Sequence, residues 1–300
     1  MSVRDCVISI WQNMATGNNT EMGFWDHLEA LRGVLFKIGG VIIVAAVLLF
    51  IYMRQIMDSV ILAPCRPDFP LYNLLSFMSG QGDSAWLPSF GGDDFHVTLV
   101  NIELASQFFI HMSLSCWLAV VLTFPIIIYL FWTFVRPGLL PNERRGAVKA
   151  FAFGNIMFYA GVAVGYFLVF PLTLRFLAGY QLSDSIPNTV SISSYMDNFL
   201  MIILLMGVVF ELPLLAWLLG RMGLLTRDFF SKFRRHAIVV LMIAAAIITP
   251  TGDPFTLMMV FLPIYILWEG SAMLVPAAAP DEDDDEEESS GNDTSTSVVK

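Results

Sequence analysis

The sequence predicts an all-α integral membrane protein of six transmembrane helices, and three observations carry that prediction. Apolar residues make up 56% of the 300-residue chain and charged residues only 14%, with a mean hydropathy of +0.69, outside the usage of water-soluble domains. The apolar residues gather into runs with almost no charge, and a helix needs about 20 such residues to cross roughly 30 Å of hydrocarbon. Lys and Arg fall almost entirely in alternate intervals between those runs.

Residues 1–23 form an N-terminal extension. Its stretch MSVRDCVISIWQNMATGNN has an acid beside its only cation and a short, interrupted apolar run, unlike a cleavable export signal, so the first span is expected to stay in the mature protein. Next, Phe24, Trp25, Leu28 and Leu31 recur at helical spacing while Asp26, His27, Glu29 and Arg32 point elsewhere, which predicts an amphipathic helix lying at the inner interface.

The apolar runs cover residues 38–53, 104–135, 150–174, 198–220, 237–249 and 255–275, with Glu211 and Glu269 the only charged residues inside them. The fifth has 13 residues and would rise about 20 Å as a helix, short of the hydrocarbon thickness unless it thins the bilayer. It cannot fuse with the sixth, because TPTGDP at 249–254 breaks the chain with two prolines and a glycine, so the last two spans are expected as a hairpin of short helices. Between the first two runs, residues 54–107 form a loop long enough to cap the outer face, with Pro64, Pro67 and Pro70 followed by a glycine-rich middle.

With the N-terminus inside, thirteen of the sixteen cations lie in internal segments and only Arg54, Arg66 and Arg175 lie outside. Both termini are then cytoplasmic. The net charge of -10 belongs to the end of the chain: residues 281–300 hold nine acids and one lysine, which leaves 15 cations against 17 anions in the rest. Residues 276–300 therefore read as a disordered acidic tail behind a membrane domain at 24–275.

Cys6, Cys65 and Cys116 form no metal or redox spacing, the four histidines share no ligand spacing, and no enzyme motif is present. Catalysis, a metal, a cofactor and nucleic acid are accordingly not expected. GVAVG at 161–165 has the small-xxx-small spacing that lets a neighbouring helix approach, a weak signal in membrane helices. Glu211 places an ionisable group near the middle of the fourth run, where such groups face a bundle or a cavity, and Pro213 is expected to kink that helix. Glu269, near the inner end of the sixth run, reads as a residue within reach of water. Positive-inside topology accounts for Arg144 and Arg145 in NERR but gives no reason for Glu143. That carboxylate either pairs with its own arginines or accepts a guanidinium from a partner.

Five segments together resemble the TatC family, the multispanning core of the twin-arginine protein translocase: HLEALR at 27–32, FVRPGLLPNERR at 134–145, YFLVFPLTLRFL at 166–177, GVVFELP at 207–213 and TPTGDPFT at 249–256. The resemblance runs from about residue 24 to residue 275. It implies a receptor for export signals bearing two adjacent arginines, with Leu28, Arg32, Phe134, Glu143, Arg144 and Arg145 at the matching signal-binding positions. It further implies that Glu211, with Pro213 beside it, contacts small single-span subunits of TatA/TatB type. Pro64 and Asp253 would be structural residues of the outer face. The implied setting is the inner membrane of a prokaryote, a receptor complex in which the chain self-associates, and folded cargo driven across by the proton-motive force. In the family's N-terminal motif, HLxELR, the second acidic position is a glutamate, and here it is Ala30. Asp26, one helical turn earlier on the same face, is the better substitute, with Glu29 less well aimed. The alternatives are a proton-coupled transporter of small solutes, which would show an internal repeat and a polar midplane site, and a purely structural membrane scaffold, in which Glu143 and Glu211 would be dispensable.

Overall fold

The computed structural model describes residues 24–79, 97–135, 141–180, 183, 188–221, 225–249 and 252–275, with the side chains of 24–27, 76–79, 135 and 141–147 excepted. The N-terminal extension, the glycine-rich middle of the first loop and the acidic tail lie outside the described residues.

The chain folds as ten α-helices and one pair of two-residue strands among the described residues. In order these are α1 (Phe24–Ile56), α2 (Pro70–Ser79), β1 (Leu99–Val100), α3 (Ser106–Val135), α4 (Pro141–Val164), α5 (Phe170–Gly179), β2 (Val190–Ser191), α6 (Ile192–Val209), α7 (Leu212–Arg221), α8 (Arg227–Lys232), α9 (Arg234–Ile248) and α10 (Pro254–Leu274). Five stretches are long and apolar enough to cross a membrane: Leu28–Leu75, Ser106–Phe134, Val148–Gly179, Ile192–Arg221 and Pro254–Leu274. The expectation of two short final helices holds for α9, with 15 residues, whereas α10 has 21 and reaches full length. The amphipathic segment is not separate from the first span, since a single helix of 33 residues carries both. Gly33, Gly39 and Gly40 permit this, because one glycine in a helix weakens it by only about 1 kcal/mol and breaks nothing.

The chain divides into two compact units. The first comprises residues up to Arg54 and His111–Phe151. Within it, the His111 ring stacks on Phe50 at 3.9 Å and its Nε2 lies 2.9 Å from the Phe50 carbonyl, which pins α3 to α1. Trp132 of α3 meets Phe151 of α4 at 5.0 Å.

The second unit comprises Gln55–Ile110 and residues from Ala152 onward, and within it the end of α4 and the turn that follows pack against α6. A Cβ on Gly161 would sit 2.5 Å from the Met206 carbonyl oxygen, and one on Gly165 would sit 3.2 Å from the Ile203 Cα. The two glycines of GVAVG thus let α4 and α6 meet backbone to backbone, as close-packed membrane helices do. Gly207 returns the fit, since a Cβ there would come 2.9 Å from the Phe158 ring. Phe170, Tyr195 and Phe199 fill the neighbouring space edge to face, with Phe170 centroids 5.2 and 5.0 Å from the other two.

Two π-helical turns, at Met57–Ile61 and Gly165–Val169, interrupt regular helix in this unit. Such turns leave carbonyls without their usual partners. Tyr166 donates to the Val60 carbonyl at 2.7 Å and Tyr195 to the Ile61 carbonyl at 2.5 Å. The all-α expectation needs one addition: β1 and β2 pair in parallel, Leu99 with Val190 and Val100 with Ser191. Ser191 then caps α6, its Oγ accepting from Ser194 N–H at 3.2 Å. At the other end of the unit, Arg234 of α9 pairs with Glu269 of α10 at 2.7 Å, and Tyr265 donates to the same carboxylate at 2.9 Å.

Candidate functional site

The candidate signal-binding residues all belong to the first unit, on three helix ends. Asp26, Leu28, Glu29 and Arg32 lie in the first nine residues of α1, Phe134 is next to last in α3, and Glu143, Arg144 and Arg145 occupy the first turns of α4. Leu28, Glu29, Ala30 and Arg32 are exposed, and the Arg32 guanidinium lies 5.6 Å from the Phe36 ring centroid. Phe134 is half-buried and meets Phe131 at 6.1 Å. The side chains of Asp26, Glu143, Arg144 and Arg145 lie outside the described residues.

The backbone alone gives this stretch its character. Pro141 opens α4, where a missing N–H costs nothing and φ is already helical. Glu143 then falls where free N–H groups and the positive end of the helix dipole favour an ionised carboxylate. The same dipole disfavours Arg144 and Arg145, by about 0.3–1 kcal/mol each, so helix stability does not account for them.

Glu211 lies in the second unit at a break in the fourth span. Helix α6 ends at Val209 and α7 starts at Leu212, so the expected kink at Pro213 is a break two residues upstream. The mechanism is visible in the hydrogen bonds. Pro213 has no N–H to offer the Val209 carbonyl, Glu211 N–H turns back three residues to Val208 at 3.1 Å, and Leu215 N–H resumes the helical pattern on Glu211 at 3.0 Å. The Glu211 carboxyl is turned onto α4. A Cβ on Gly154 would lie 2.9 Å from its Oε2 and 2.6 Å from Leu214 Cδ2, and Oε1 is buried without a hydrogen-bond partner among the described residues. A half-buried carboxyl with an open acceptor is a poor structural element and a good receiving group for a donor from outside the chain.

Gly154 escaped the reading of the sequence, although a signal was present. It precedes Gly161 by seven residues and Gly165 by eleven, so all three share one helical face.

Pro64 and Asp253 have structural roles. Pro64 is buried in the 3-10 turn Ala63–Cys65 and its carbonyl accepts from the Tyr72 hydroxyl at 2.9 Å. Asp253 caps α10, its Oδ1 accepting from Thr256 N–H at 2.8 Å, directly after Gly252 in the left-handed region at φ 62°. No group of His, Cys, Asp and Glu among the described residues has the arrangement to hold a metal ion.

Residues 26–263 match the family described as Sec-independent protein translocase protein (TatC). The Sec-independent protein translocase protein TatC of Blattabacterium sp. subsp. Periplaneta americana is 31% identical over 252 residues, 84% of this chain and 94% of that one. Its counterpart in Deinococcus radiodurans is 32% identical over 250 residues, 83% and 84% of the two chains. Two crystal structures of the twin-arginine translocase receptor TatC, the second in DDM, share the fold. They give TM-scores of 0.64 and 0.66 at 24% identity, each covering 83% of this chain, and 97% and 99% of theirs. With the match running through the helices that carry both Glu143 and Glu211, this multi-pass membrane chain belongs to the TatC family of Sec-independent protein translocase proteins.

Proposed function

We propose that the chain is the core receptor subunit of a twin-arginine translocase in the inner membrane of a prokaryote. It recognises twin-arginine signal peptides on the cytoplasmic side and organises small single-span subunits of TatA/TatB type for export of folded proteins, driven by the proton-motive force. The observation that carries this reading is that the family match, residues 26–263, takes in every candidate residue from Asp26 to Asp253.

The recognition step follows from charge and geometry. A carboxylate in the first turn of a helix stays ionised and needs little reorganisation to accept a guanidinium in two parallel hydrogen bonds. Glu143 supplies that group, and Asp26, with Glu29 as a helper, supplies the second negative charge from α1. Leu28 and Phe134 offer apolar surface to the signal's hydrophobic segment. Arg144 and Arg145 hold the α3–α4 loop in the cytoplasm. Both termini are cytoplasmic, and α9 completes six crossings by thinning the bilayer around it. In the membrane, Glu211 receives a donor from a partner helix at the break opened by Pro213, and copies of the chain associate in the receptor complex.

The test is retention of the purified chain by an immobilised twin-arginine signal peptide, compared with the same peptide carrying twin lysines. Arginine's fork fits a carboxylate and lysine's point charge does not, so the arginine peptide retains the chain preferentially. Equal retention by both peptides refutes the proposal.

A further inference from the structure

The chain leaves α10 beside a basic surface of the second unit. Val275, the residue after α10, is buried together with Ala216 of α7 and Phe230 of α8, and the Phe230 ring meets Trp268 of α10 at 4.7 Å. The exit point is thereby fixed against α8. In the segment that holds Phe230, Arg221 ends α7, Arg227 and Lys232 bound α8, and Arg234 and Arg235 open α9, all five exposed. Asp228 is the one acid among residues 221–236, and Glu269 of α10 already pairs with Arg234 at 2.7 Å. Four cations remain beside a single acid.

The sequence supplies the opposite charge at once. After Val275 come PAAAP at 276–280 and DEDDDEEE at 281–288, eight consecutive acids. Six residues reach at most about 20 Å, so the first acid cannot leave the neighbourhood of α8. Positive-inside topology accounts for cations beside a span, but it gives no reason for an acidic run to follow them so closely.

The energetics favour contact between the two. Like charges in a row repel one another, and an adjoining surface of cations relieves that repulsion. A single exposed ion pair contributes little, yet here several act together, and the tether holds the acids at an effective concentration on the order of millimolar. A free anion in solution has no such advantage. We propose that residues 281–288 dock on the cationic surface formed by α7, α8 and α9, so that the chain's own acidic segment is the occupant of this surface. Any other anionic group that comes to these cations must first displace it.

Lys232 makes the contact readable, because a carbodiimide joins a carboxylate to a lysine amine that touches it and adds no spacer. The full chain is placed in phosphatidylcholine nanodiscs, treated with the reagent and digested, and the linked peptides are quantified by mass spectrometry. Lys37 and Lys149, both exposed, are the comparison. Linkage of residues 281–288 to Lys232 should exceed linkage to either of them by about fivefold, as the short tether requires. Raising salt from about 0.15 M to about 1 M shortens the screening length from about 8 Å to about 3 Å and should remove most of that excess. Arg227→Gln combined with Arg235→Gln should lower the Lys232 link while leaving Lys232 and the acids in place. Equal linkage to the three lysines in the parent chain overturns the proposal and leaves a solvated tail, a result that stands whether or not the double variant folds. An unchanged Lys232 link in the folded double variant overturns it too. Mixing the chain with an isotope-labelled copy identifies the source of the acids: links within one copy uphold the proposal, and links only between copies overturn it in favour of a second chain. Replacing phosphatidylcholine by phosphatidylglycerol offers the cations a competing anion. Persistence of the link upholds the tail as occupant, and its loss overturns that assignment in favour of lipid headgroups.

Discussion

Substituting Gly154 by alanine tests whether the position of the Glu211 carboxyl matters. The new Cβ would lie 2.9 Å from Glu211 Oε2 and 2.6 Å from Leu214 Cδ2, where ordinary contact starts at 3.4 Å. The carboxyl must therefore withdraw by about half an ångström and the leucine methyl by somewhat more. Both are ends of flexible side chains, and moving each off its rotamer costs about 0.5–1.5 kcal/mol. Replacing a helical glycine by alanine returns about 1 kcal/mol. Gly154→Ala is thus expected to change stability by no more than about 1–2 kcal/mol while moving the acid at the break in the fourth span. Gly161→Ala is the contrast. Its Cβ would meet a backbone carbonyl at 2.5 Å and Phe210 Cβ at 2.7 Å, so the helices must part, at about 1–3 kcal/mol or more. Export of a reporter with a twin-arginine signal, measured beside the melting temperature of the purified protein, separates the two. Gly154→Ala should lose export with its melting temperature nearly intact, and Gly161→Ala should lose melting temperature first. Glu211→Asp, which draws the carboxyl back by one methylene, should restore part of the export lost in Gly154→Ala. Parental export by Gly154→Ala would refute the importance of carboxyl position. Melting as low as that of Gly161→Ala would refute the accounting by flexible ends.

Glu143→Ala removes a charge-assisted contact worth about 1.5–3 kcal/mol and should weaken twin-arginine peptide binding tenfold or more by calorimetry, with unchanged affinity leaving only a local ion pair. Asp26→Asn should weaken the same binding more than Glu29→Gln does, and Ala30→Glu should partly rescue it. Equal affinity of Asp26→Asn and parent would end the idea that Asp26 compensates for Ala30. A cysteine at Gly82 should react with an impermeant reagent in intact cells and one at Asn142 should not; the reverse pattern would invert the proposed topology. Tyr195→Phe leaves the Ile61 carbonyl of the first π-helical turn without its donor and should lower stability by about 1–3 kcal/mol, measured as a melting shift.

The parts of this fold that could be read from the sequence are those fixed by local pattern. Run length located the five stretches long and apolar enough to cross a membrane, Pro213 announced the break in the fourth, and the glycines at 161 and 165 announced a close helix contact, because each of these depends on local sequence. What escaped depends on groups far apart in the chain. Gly154 and Glu211 are neighbours only after α4 and α6 have packed. The π-helical turn at Met57–Ile61 is supported by hydroxyls more than 100 residues away, and β1 pairs with β2 across 91 residues. Two-residue strands are too short to show alternation. Most of the candidate signal-binding residues were legible as charges at the ends of apolar runs, and the folded chain places the candidates on three helix ends of one unit.

The continuity of α1 gives its first residues a reach. Thirty-three residues rise about 50 Å, whereas the hydrocarbon layer is about 30 Å thick. Tilting alone would have to exceed 50°, roughly, to hide that length, beyond the range of about 0–40° that spanning helices adopt. The helix must therefore stand proud of the membrane. The segment before its charge-free stretch, Phe24 to Lys37, is about 21 Å long, so Asp26, Glu29 and Arg32 ride on a stiff mast well clear of the hydrocarbon. A flexible arm would absorb a load applied at those residues within itself. A mast transmits it, so that whatever pulls on its tip leans the whole first span.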